Sequence, residues 1–197
     1  MAKITFPTIL TLIRLIASPI VLPILLVYGL PYNIAIINIF LASLFALLAL
    51  TDFFDGYLAR KLKLESRLGK ALDPLADKFL VYSTLIALLA INRIYFYWVV
   101  LLIGRDFFIM GLRQIALEQG FSVPVDWLGK IKTMTLLTFL TVTIAHPYHW
   151  MHHDSFYQGI ETTLLFFTLI LSLWSAKNYY DTFMEKASST LTNTNEY

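Results

Sequence analysis

The sequence has no cysteine and few charged residues, and both absences limit what the protein can be. Without cysteine, neither a disulfide framework nor a zinc–thiolate site is available. Charged residues make up 14% of the 197 positions and apolar residues 58%, whereas a soluble domain has about 25% charged and 45–50% apolar residues. The net charge is only +2, and we expect no nucleic-acid partner. The composition is typical of a membrane protein.

Apolar segments indicate membrane-spanning helices, because a spanning helix needs about 20 mainly apolar residues. Three segments meet this length, and three shorter ones each have their polar part at the same end relative to the membrane. In chain order the six are 9–29, 33–51, 79–91, 94–103, 134–145 and 160–176. The first is too long for a signal core and contains Arg14, so we expect a retained helix. The pattern predicts an all-α membrane protein with six transmembrane helices, three of them lining a polar cavity.

The positive residues predict the orientation in the membrane, since Lys and Arg concentrate in cytoplasmic loops. If the N-terminus is cytoplasmic, Arg93 is the only one of the 15 Lys and Arg residues that falls outside. We therefore expect the protein to lie in the cell (inner) membrane, with its polar cavity and active site facing the cytoplasm. Residues 1–182 are predicted to form one domain, followed by a polar, flexible tail over 183–197.

Four aspartates in the stretch 51–79 form the most informative pattern. Asp52 and Asp55 share one predicted helical face with Gly56, and Asp73 and Asp77 share another because they are four residues apart. Four carboxylates at the edge of a bilayer need compensating charge, and hard oxygen ligands suit Mg²⁺ or Mn²⁺. The alternative is that they cap helix ends or pair with basic residues of a solvated loop, namely Arg60, Lys61 and Lys70.

The complete pattern resembles the signature of the CDP-alcohol phosphatidyltransferase family. The sequence fills D-x-x-D-G-x-x-A-R-x8-G-x3-D-x3-D at every fixed position, which are Asp52, Asp55, Gly56, Ala59, Arg60, Gly69, Asp73 and Asp77. The opening FPTILTLIRLIASP resembles the first helix of this family. The segments GRDFFIMGLRQIALEQG and WLGKIKTMTLLTFLT resemble the branch that uses glycerol 3-phosphate as acceptor. The resemblance covers roughly Pro7–Thr141.

The resemblance implies a role for each matched position. Asp52, Asp55 and Asp73 would hold divalent metal, and Asp77 would complete a two-metal site and act as general base on the acceptor hydroxyl. The donor CDP-diacylglycerol would be bound by Thr8, Thr11, Asp52, Gly56, Ala59, Arg60, Ser66 and Gly69. Position 8 is often Asn in the family, and Thr8 can also donate and accept a hydrogen bond. We expect two Mg²⁺ or Mn²⁺ ions, the lipid bilayer as surroundings and a homodimer.

A second set of charges predicts how the acceptor is bound. Arg105 and Arg113 are eight residues apart on one predicted helix, so we expect them on nearly the same face, while Lys130 and Lys132 begin the next helix. Unpaired cations at membrane depth are costly and usually mark a site. Together they suit a phosphorylated acceptor such as glycerol 3-phosphate, bound by Arg forks and a Lys point charge. The alternative is ordinary membrane anchoring, with Arg105 beside Asp106 in solvent.

Other functions remain open on the sequence alone. A relative in the same family could use an inositol phosphate, which would also need the cations, or phosphatidylglycerol, which would give cardiolipin. A divalent-cation transporter would have carboxylates near the bilayer midplane, whereas here they lie at predicted inner helix ends. All four histidines lie in HPYHWMHHD, 146–154, which could bind zinc or copper. We favour a polar interfacial loop for that segment.

Overall fold

The protein is all-helical throughout the described ranges. The computed structural model describes residues 20–62, 67–124, 127–146 and 155–194, and the side chains of 20–51, 78–124, 127–146 and 157–188. These ranges contain six α-helices and no strand. The helices are α1 (Leu22–Gly29), α2 (Ala35–Leu62), α3 (Arg67–Ala90), α4 (Phe96–Glu118), α5 (Trp127–Ala145) and α6 (Ser155–Thr194). The prediction of an all-α fold is confirmed.

The chain divides into two compact units. The first comprises Met1–Tyr95 and Leu137–Glu161, and the second comprises Phe96–Leu136 and Thr162–Tyr197. The single domain 1–182 stays a prediction.

In the first unit, α1, α2 and α3 contact one another. Leu26, Phe45 and Leu85 are completely buried between them. Gly29 ends α1 where a Cβ atom would lie 2.9 Å from the Cδ1 atom of Leu41 on α2, so the absent side chain permits a close approach. A left-handed residue, Asn33, makes the turn between these two helices with φ of 56°. The core of this unit is thus built from large aliphatic and aromatic side chains.

In the second unit, the C-terminal half of α4 packs against α6. The buried cluster contains Ile109, Leu112, Ala116, Val123, Tyr179 and Phe183. The ring of Phe121, in the loop that follows α4, lies 5.6 Å from the ring of Phe183. Gly120 has φ of 81° and makes the turn by which this loop leaves α4. The packing holds the loop after α4 against the C-terminal half of α6.

Helix α6 continues to Thr194, into the segment 183–197 that is predicted to be a tail, and the flexibility of this tail stays a prediction. At 1.5 Å per residue, its 40 residues span about 60 Å, twice the thickness of the bilayer core. Ala176, Tyr179, Phe183 and Ala187 follow helical spacing and form one packed stripe. Lys186 donates from Nζ to the carbonyl oxygen of Ser122 at 2.8 Å. The polar residues within 183–188 therefore belong to a helix whose other face is exposed.

The helices agree only in part with the predicted membrane spans. Among the described residues, two helical stretches, Trp127–Ala145 and Tyr157–Ser188, are long and apolar enough to cross a membrane. Three shorter apolar stretches are Leu22–Tyr32, Ala35–Thr51 and Lys78–Ala90. Large apolar side chains are widely exposed, among them Phe40, Tyr28 and Ile36, as expected for contact with lipid. Six spans, their orientation and a cytoplasmic cavity remain predictions.

Candidate active site

The backbone places both pairs of aspartates on helices. Asp52 and Asp55 lie in α2, which continues past the apolar segment that ends at Thr51. Asp73 and Asp77 lie in α3, which begins before the apolar segment that starts at Phe79. Helices α2 and α3 follow one another in the chain and contact each other. The two aspartates of each pair are three or four residues apart on a helix, so each pair shares one helical face.

The chemistry of these donors fits a divalent metal. Carboxylate oxygens are the ligands that Mg²⁺ and Mn²⁺ prefer, and two contacting helices supply two each. Among the described side chains, no three His, Asp or Glu residues come together as a metal site would require. The side chains of the four aspartates lie outside that set.

Three of the eight residues predicted to bind CDP-diacylglycerol lie outside the described part of the chain. Thr8, Thr11 and Ser66 are outside the described residues. The other matched positions are described in their backbone alone: Gly56, Ala59 and Arg60 belong to α2, and Gly69 belongs to α3. The signature thus spans the C-terminal end of α2 and the N-terminal end of α3.

The four predicted acceptor-binding cations divide into a buried pair and an exposed pair. Arg105 on α4 and Lys132 on α5 are withdrawn from solvent, with side-chain exposures of 12% and 5%. Arg113 on α4 and Lys130 on α5 are exposed. Each of the two helices therefore contributes one cation of each kind.

Helix geometry explains why neighbouring cations differ. With 3.6 residues per turn, Arg105 and Arg113 lie about two turns apart along α4 and point about 80° apart around it. Lys130 and Lys132 point about 200° apart, on opposite faces of α5. The expectation that the two arginines share nearly one face overlooks this rotation.

The buried pair is held by one carboxylate oxygen. Asp106 Oδ1 accepts a hydrogen bond from Arg105 Nη1 at 2.8 Å and from Lys132 Nζ at 2.7 Å. The Arg105 guanidinium also donates from Nε to the carbonyl oxygen of Ser172 and from Nη2 to Ser175 Oγ, both at 2.9 Å. The Arg105–Asp106 neighbourhood that the anchoring alternative places in solvent is thus buried, and it joins three helices.

The exposed pair has far fewer contacts. Lys130 Nζ lies 5.7 Å from the ring centroid of Trp127, which is a cation–π contact. The Arg113 side chain has no ion pair or hydrogen bond in the part of the chain that the structure describes. Both charges are therefore accessible to an anionic ligand.

A cavity of about 500 Å³ lies in the second unit, beside the start of α5. Its lining includes Trp127 and Pro124 on one side and Tyr179, Asp181 and Thr182 of α6 on the other. None of the four predicted acceptor-binding cations lines it. The Asp181 carboxylate would repel a phosphate, so the cavity is not the site that the cations predict.

Sequence reasoning overlooked the role of Asp106. A carboxylate in an apolar helical segment usually pairs with a cation, and Arg105 is its direct neighbour. Its second partner lies 26 positions away on α5, and no local spacing reveals such a contact. The histidine segment is described only at His146, whose Nδ1 atom lies 3.1 Å from Glu161 Oε1, and 147–154 lie outside the described residues.

Comparison with known proteins assigns the chain to a family. The family model described as CDP-alcohol phosphatidyltransferase matches residues 4–174. Two relatives, from Salmonella choleraesuis and Escherichia coli K12, are each 36% identical over 183 residues, covering 90% of this chain and 93% of theirs. A relative from Sodalis glossinidius is 34% identical over the same lengths. All three are named CDP-diacylglycerol–glycerol-3-phosphate 3-phosphatidyltransferase. With its complete aspartate signature on α2 and α3, the chain belongs to the CDP-alcohol phosphatidyltransferase family.

Proposed function

We propose that this protein transfers the phosphatidyl group of CDP-diacylglycerol to glycerol 3-phosphate, giving phosphatidylglycerophosphate and CMP. The observation that carries the proposal is the unbroken signature of four aspartates on two contacting helices. The relatives that match over 90% of the chain are named for this reaction. The proposal makes the protein a transferase of phospholipid biosynthesis.

The four aspartates would hold the divalent metal on which the family generally depends. Asp52, Asp55, Asp73 and Asp77 supply the hard oxygen donors, for two Mg²⁺ or Mn²⁺ ions. When bound, such ions would stabilise negative charge on the pyrophosphate linkage of the donor and on the CMP that leaves. Asp77 would accept the proton of the acceptor hydroxyl, whose oxygen attacks the phosphatidyl phosphorus while CMP departs. A carboxylate beside metal is a weak base, so Asp77 would act mainly through its position.

The donor would lie along the signature. Gly56 and Gly69 leave room for close approach of the pyrophosphate, because neither has a side chain. Arg60 can form charge-assisted hydrogen bonds to phosphate oxygens. Hydroxyl groups for the cytidine part would come from Thr8, Thr11 and Ser66, with Asp52 and Ala59 completing the set.

The acceptor phosphate would be bound by Arg113 and Lys130. Both are exposed, and the described contacts of Lys130 leave its charge without a carboxylate partner. An Arg fork and a Lys point charge together suit a phosphate dianion. Arg105 and Lys132 belong to the same predicted cluster, but their described contacts are with Asp106, Ser172 and Ser175.

The proposed setting is the cell (inner) membrane, with six spanning helices and the N-terminus in the cytoplasm. The distribution of Lys and Arg supports this orientation, since only Arg93 falls outside. The active site would face the cytoplasm, where a water-soluble acceptor and a lipid donor can both reach it. A single membrane domain and a homodimer are part of the same proposal.

An acceptor panel tests the proposed function. Purified protein in detergent receives CDP-diacylglycerol with Mg²⁺ or Mn²⁺ and one of four acceptors: glycerol 3-phosphate, glycerol, inositol phosphate or phosphatidylglycerol. We expect CMP release with glycerol 3-phosphate far above the other three. Faster release with inositol phosphate or phosphatidylglycerol would assign another acceptor within the family. Metal flux into liposomes without CMP release from any acceptor would instead favour a divalent-cation transporter.

A further inference from the structure

Asp106 links two cations that the sequence predicts to bind phosphate. A single oxygen, Oδ1, lies 2.8 Å from Arg105 Nη1 and 2.7 Å from Lys132 Nζ. The carboxylate is only 12% exposed, and the whole residue Lys132 is 4% exposed. Two cations and one anion thus share a nearly dry site, where an unpaired charge is costly.

The same cluster fastens three helices to one another within the second unit. Asp106 and Arg105 lie on α4, and Lys132 lies on α5. Through its Nε and Nη2 atoms, Arg105 donates to the Ser172 carbonyl and the Ser175 hydroxyl of α6. A buried guanidinium with several hydrogen bonds restricts the rotation and translation of the helix that carries it. The cluster therefore fixes the register of α4 and α5.

The exposed cations lie close to this cluster along the same helices. Arg113 is about 12 Å from Arg105 along the axis of α4, and Lys130 is about 3 Å from Lys132 along α5. A rotation or shift of either helix would therefore move the exposed charges. Charge-assisted hydrogen bonds to phosphate lose strength steeply as their geometry degrades.

We propose that Asp106 is a positioning residue for acceptor recognition. It holds Arg105 and Lys132 in contact with the protein, so that α4 and α5 present Arg113 and Lys130 to the acceptor phosphate. The inference rests on the proposed function, because it requires an acceptor that carries phosphate. In this proposal Arg105 and Lys132 hold the helices together, and Arg113 and Lys130 bind the acceptor phosphate.

The central variant is Asp106→Asn, which keeps the shape of the side chain but removes its charge. We expect the KM for glycerol 3-phosphate to rise by about 10-fold or more, which corresponds to weakening one charge-assisted contact. The KM for CDP-diacylglycerol should stay within about two-fold, because α2 and α3 supply the donor site. Asp106→Glu, which retains the charge, should recover part of the acceptor affinity.

A milder variant, Ser175→Ala, covers the case in which Asp106→Asn does not fold. It removes one contact of Arg105 with α6 without changing any charge, and Ser175 is itself buried. If Arg105 is a positioning residue, the acceptor KM should rise by several-fold. If Arg105 instead binds the phosphate directly, freeing its Nη2 atom should leave the acceptor KM unchanged or lower it, and this result would overturn the inference.

The matched control is Glu161→Gln in the first unit. Glu161 is also a partly buried carboxylate beside a basic side chain, His146. Its loss should lower the melting temperature in detergent and leave the acceptor KM unchanged. If Glu161→Gln and Asp106→Asn raise the acceptor KM equally, the effect reflects general destabilisation and the proposal fails.

A final ratio separates this inference from the proposed function. For each variant, kcat/KM is measured with glycerol 3-phosphate and with glycerol. If wild-type protein shows no preference for the phosphorylated acceptor, the proposed function fails. If wild-type protein shows that preference and Asp106→Asn keeps it in full, the positioning role alone is refuted. In Asp106→Asn we expect the ratio of kcat/KM for glycerol 3-phosphate to kcat/KM for glycerol to fall by about 10-fold, in proportion to the rise in the KM for glycerol 3-phosphate.

Discussion

Each of the two compact units contains a partly buried carboxylate that meets a basic side chain from a distant part of the chain. In the second unit Asp106 joins Arg105 to Lys132, and in the first unit Glu161 meets His146 at 3.1 Å. The charges are similar, but their surroundings differ. The helices of the Asp106 cluster also carry exposed cations, Arg113 and Lys130, whereas His146 of the other cluster follows the C-terminal end of α5.

The first-unit cluster acts on helix termini. Arg93, which follows the end of α3, donates from Nη2 to the carbonyl oxygens of Thr143 and His146 at the end of α5, the former at 2.8 Å. These carbonyls belong to the last turn of the helix and its flank, which have no intrahelical donor. The His146 ring also stacks on Tyr157, with centroids 5.4 Å apart. The cluster thus caps α5 and holds it to the end of α3.

Distance from the aspartates distinguishes the roles further. Ala90, the last residue of α3, lies about 20 Å along the helix from Asp77. The Arg93 cluster is therefore at the end of α3 remote from the candidate metal site. Similar buried ion pairs can serve stability in one place and ligand geometry in another. The role of such an ion pair would depend on the exposed groups that its helices carry.

The largest expected effect comes from removing a metal ligand in the first unit. Asp52→Asn, Asp55→Asn or Asp73→Asn should reduce CMP release by roughly 1,000-fold or more, because several kcal/mol of charge stabilisation are lost. The variants should remain folded in detergent, as judged by their melting temperatures. Activity near the wild-type level that also resists a chelator would refute the metal site.

The next effect concerns Asp77 on the same helix as Asp73. Asp77→Asn should lower kcat by roughly 100- to 10,000-fold, the range for loss of a general base. Binding of CDP-diacylglycerol, measured separately by equilibrium titration, should change little. A parallel collapse of donor binding would make Asp77 mainly a metal ligand.

In the second unit, Arg113→Ala should raise the KM for glycerol 3-phosphate by roughly 10- to 150-fold, which corresponds to 1.5–3 kcal/mol. The KM for the donor should remain unchanged. Arg113→Lys should also cost activity if the contact is a bidentate fork. Lys177→Ala, which removes another exposed cation on α6, is the control for net charge and should have no such effect.

The smallest expected effect is that of Glu161→Gln. Loss of the charged hydrogen bond to His146 should cost about 1–2 kcal/mol, partly screened because Glu161 retains some exposure. The melting temperature should then fall by roughly 2–8 °C, with kcat and both KM values unchanged. A selective rise in the acceptor KM would remove the distinction between the two units.

The sequence alone predicts the helical fold and the aspartate pairs, because both depend on local spacing. Periodic carboxylates at 52, 55, 73 and 77 lie on helices in the structure, as their pattern requires. The helix boundaries were less predictable, since α2 and α3 continue beyond their apolar segments into the polar stretch. The apolar segment ends where lipid contact ends, and the hydrogen-bonded helix does not have to end there.

The contacts of the cations could not be predicted, since they depend on tertiary packing. No local sequence feature distinguishes Lys130, which is exposed, from Lys132, which contacts Asp106 on α4. The helical segment after residue 182 did carry a signal, because Ala176, Tyr179, Phe183 and Ala187 repeat at helical spacing. The polar residues between these positions concealed that stripe.

Isotope transfer tests the proposed reaction most directly. Glycerol 3-phosphate with ¹⁸O in its acceptor hydroxyl is incubated with CDP-diacylglycerol and the purified protein, and the products are analysed by mass spectrometry. The account predicts ¹⁸O in the bond between glycerol and the phosphatidyl phosphorus, with CMP unlabelled. A labelled phosphodiester of CMP with glycerol 3-phosphate, formed together with phosphatidate, would show attack of the hydroxyl at the cytidylyl phosphorus instead, and would contradict phosphatidyl transfer.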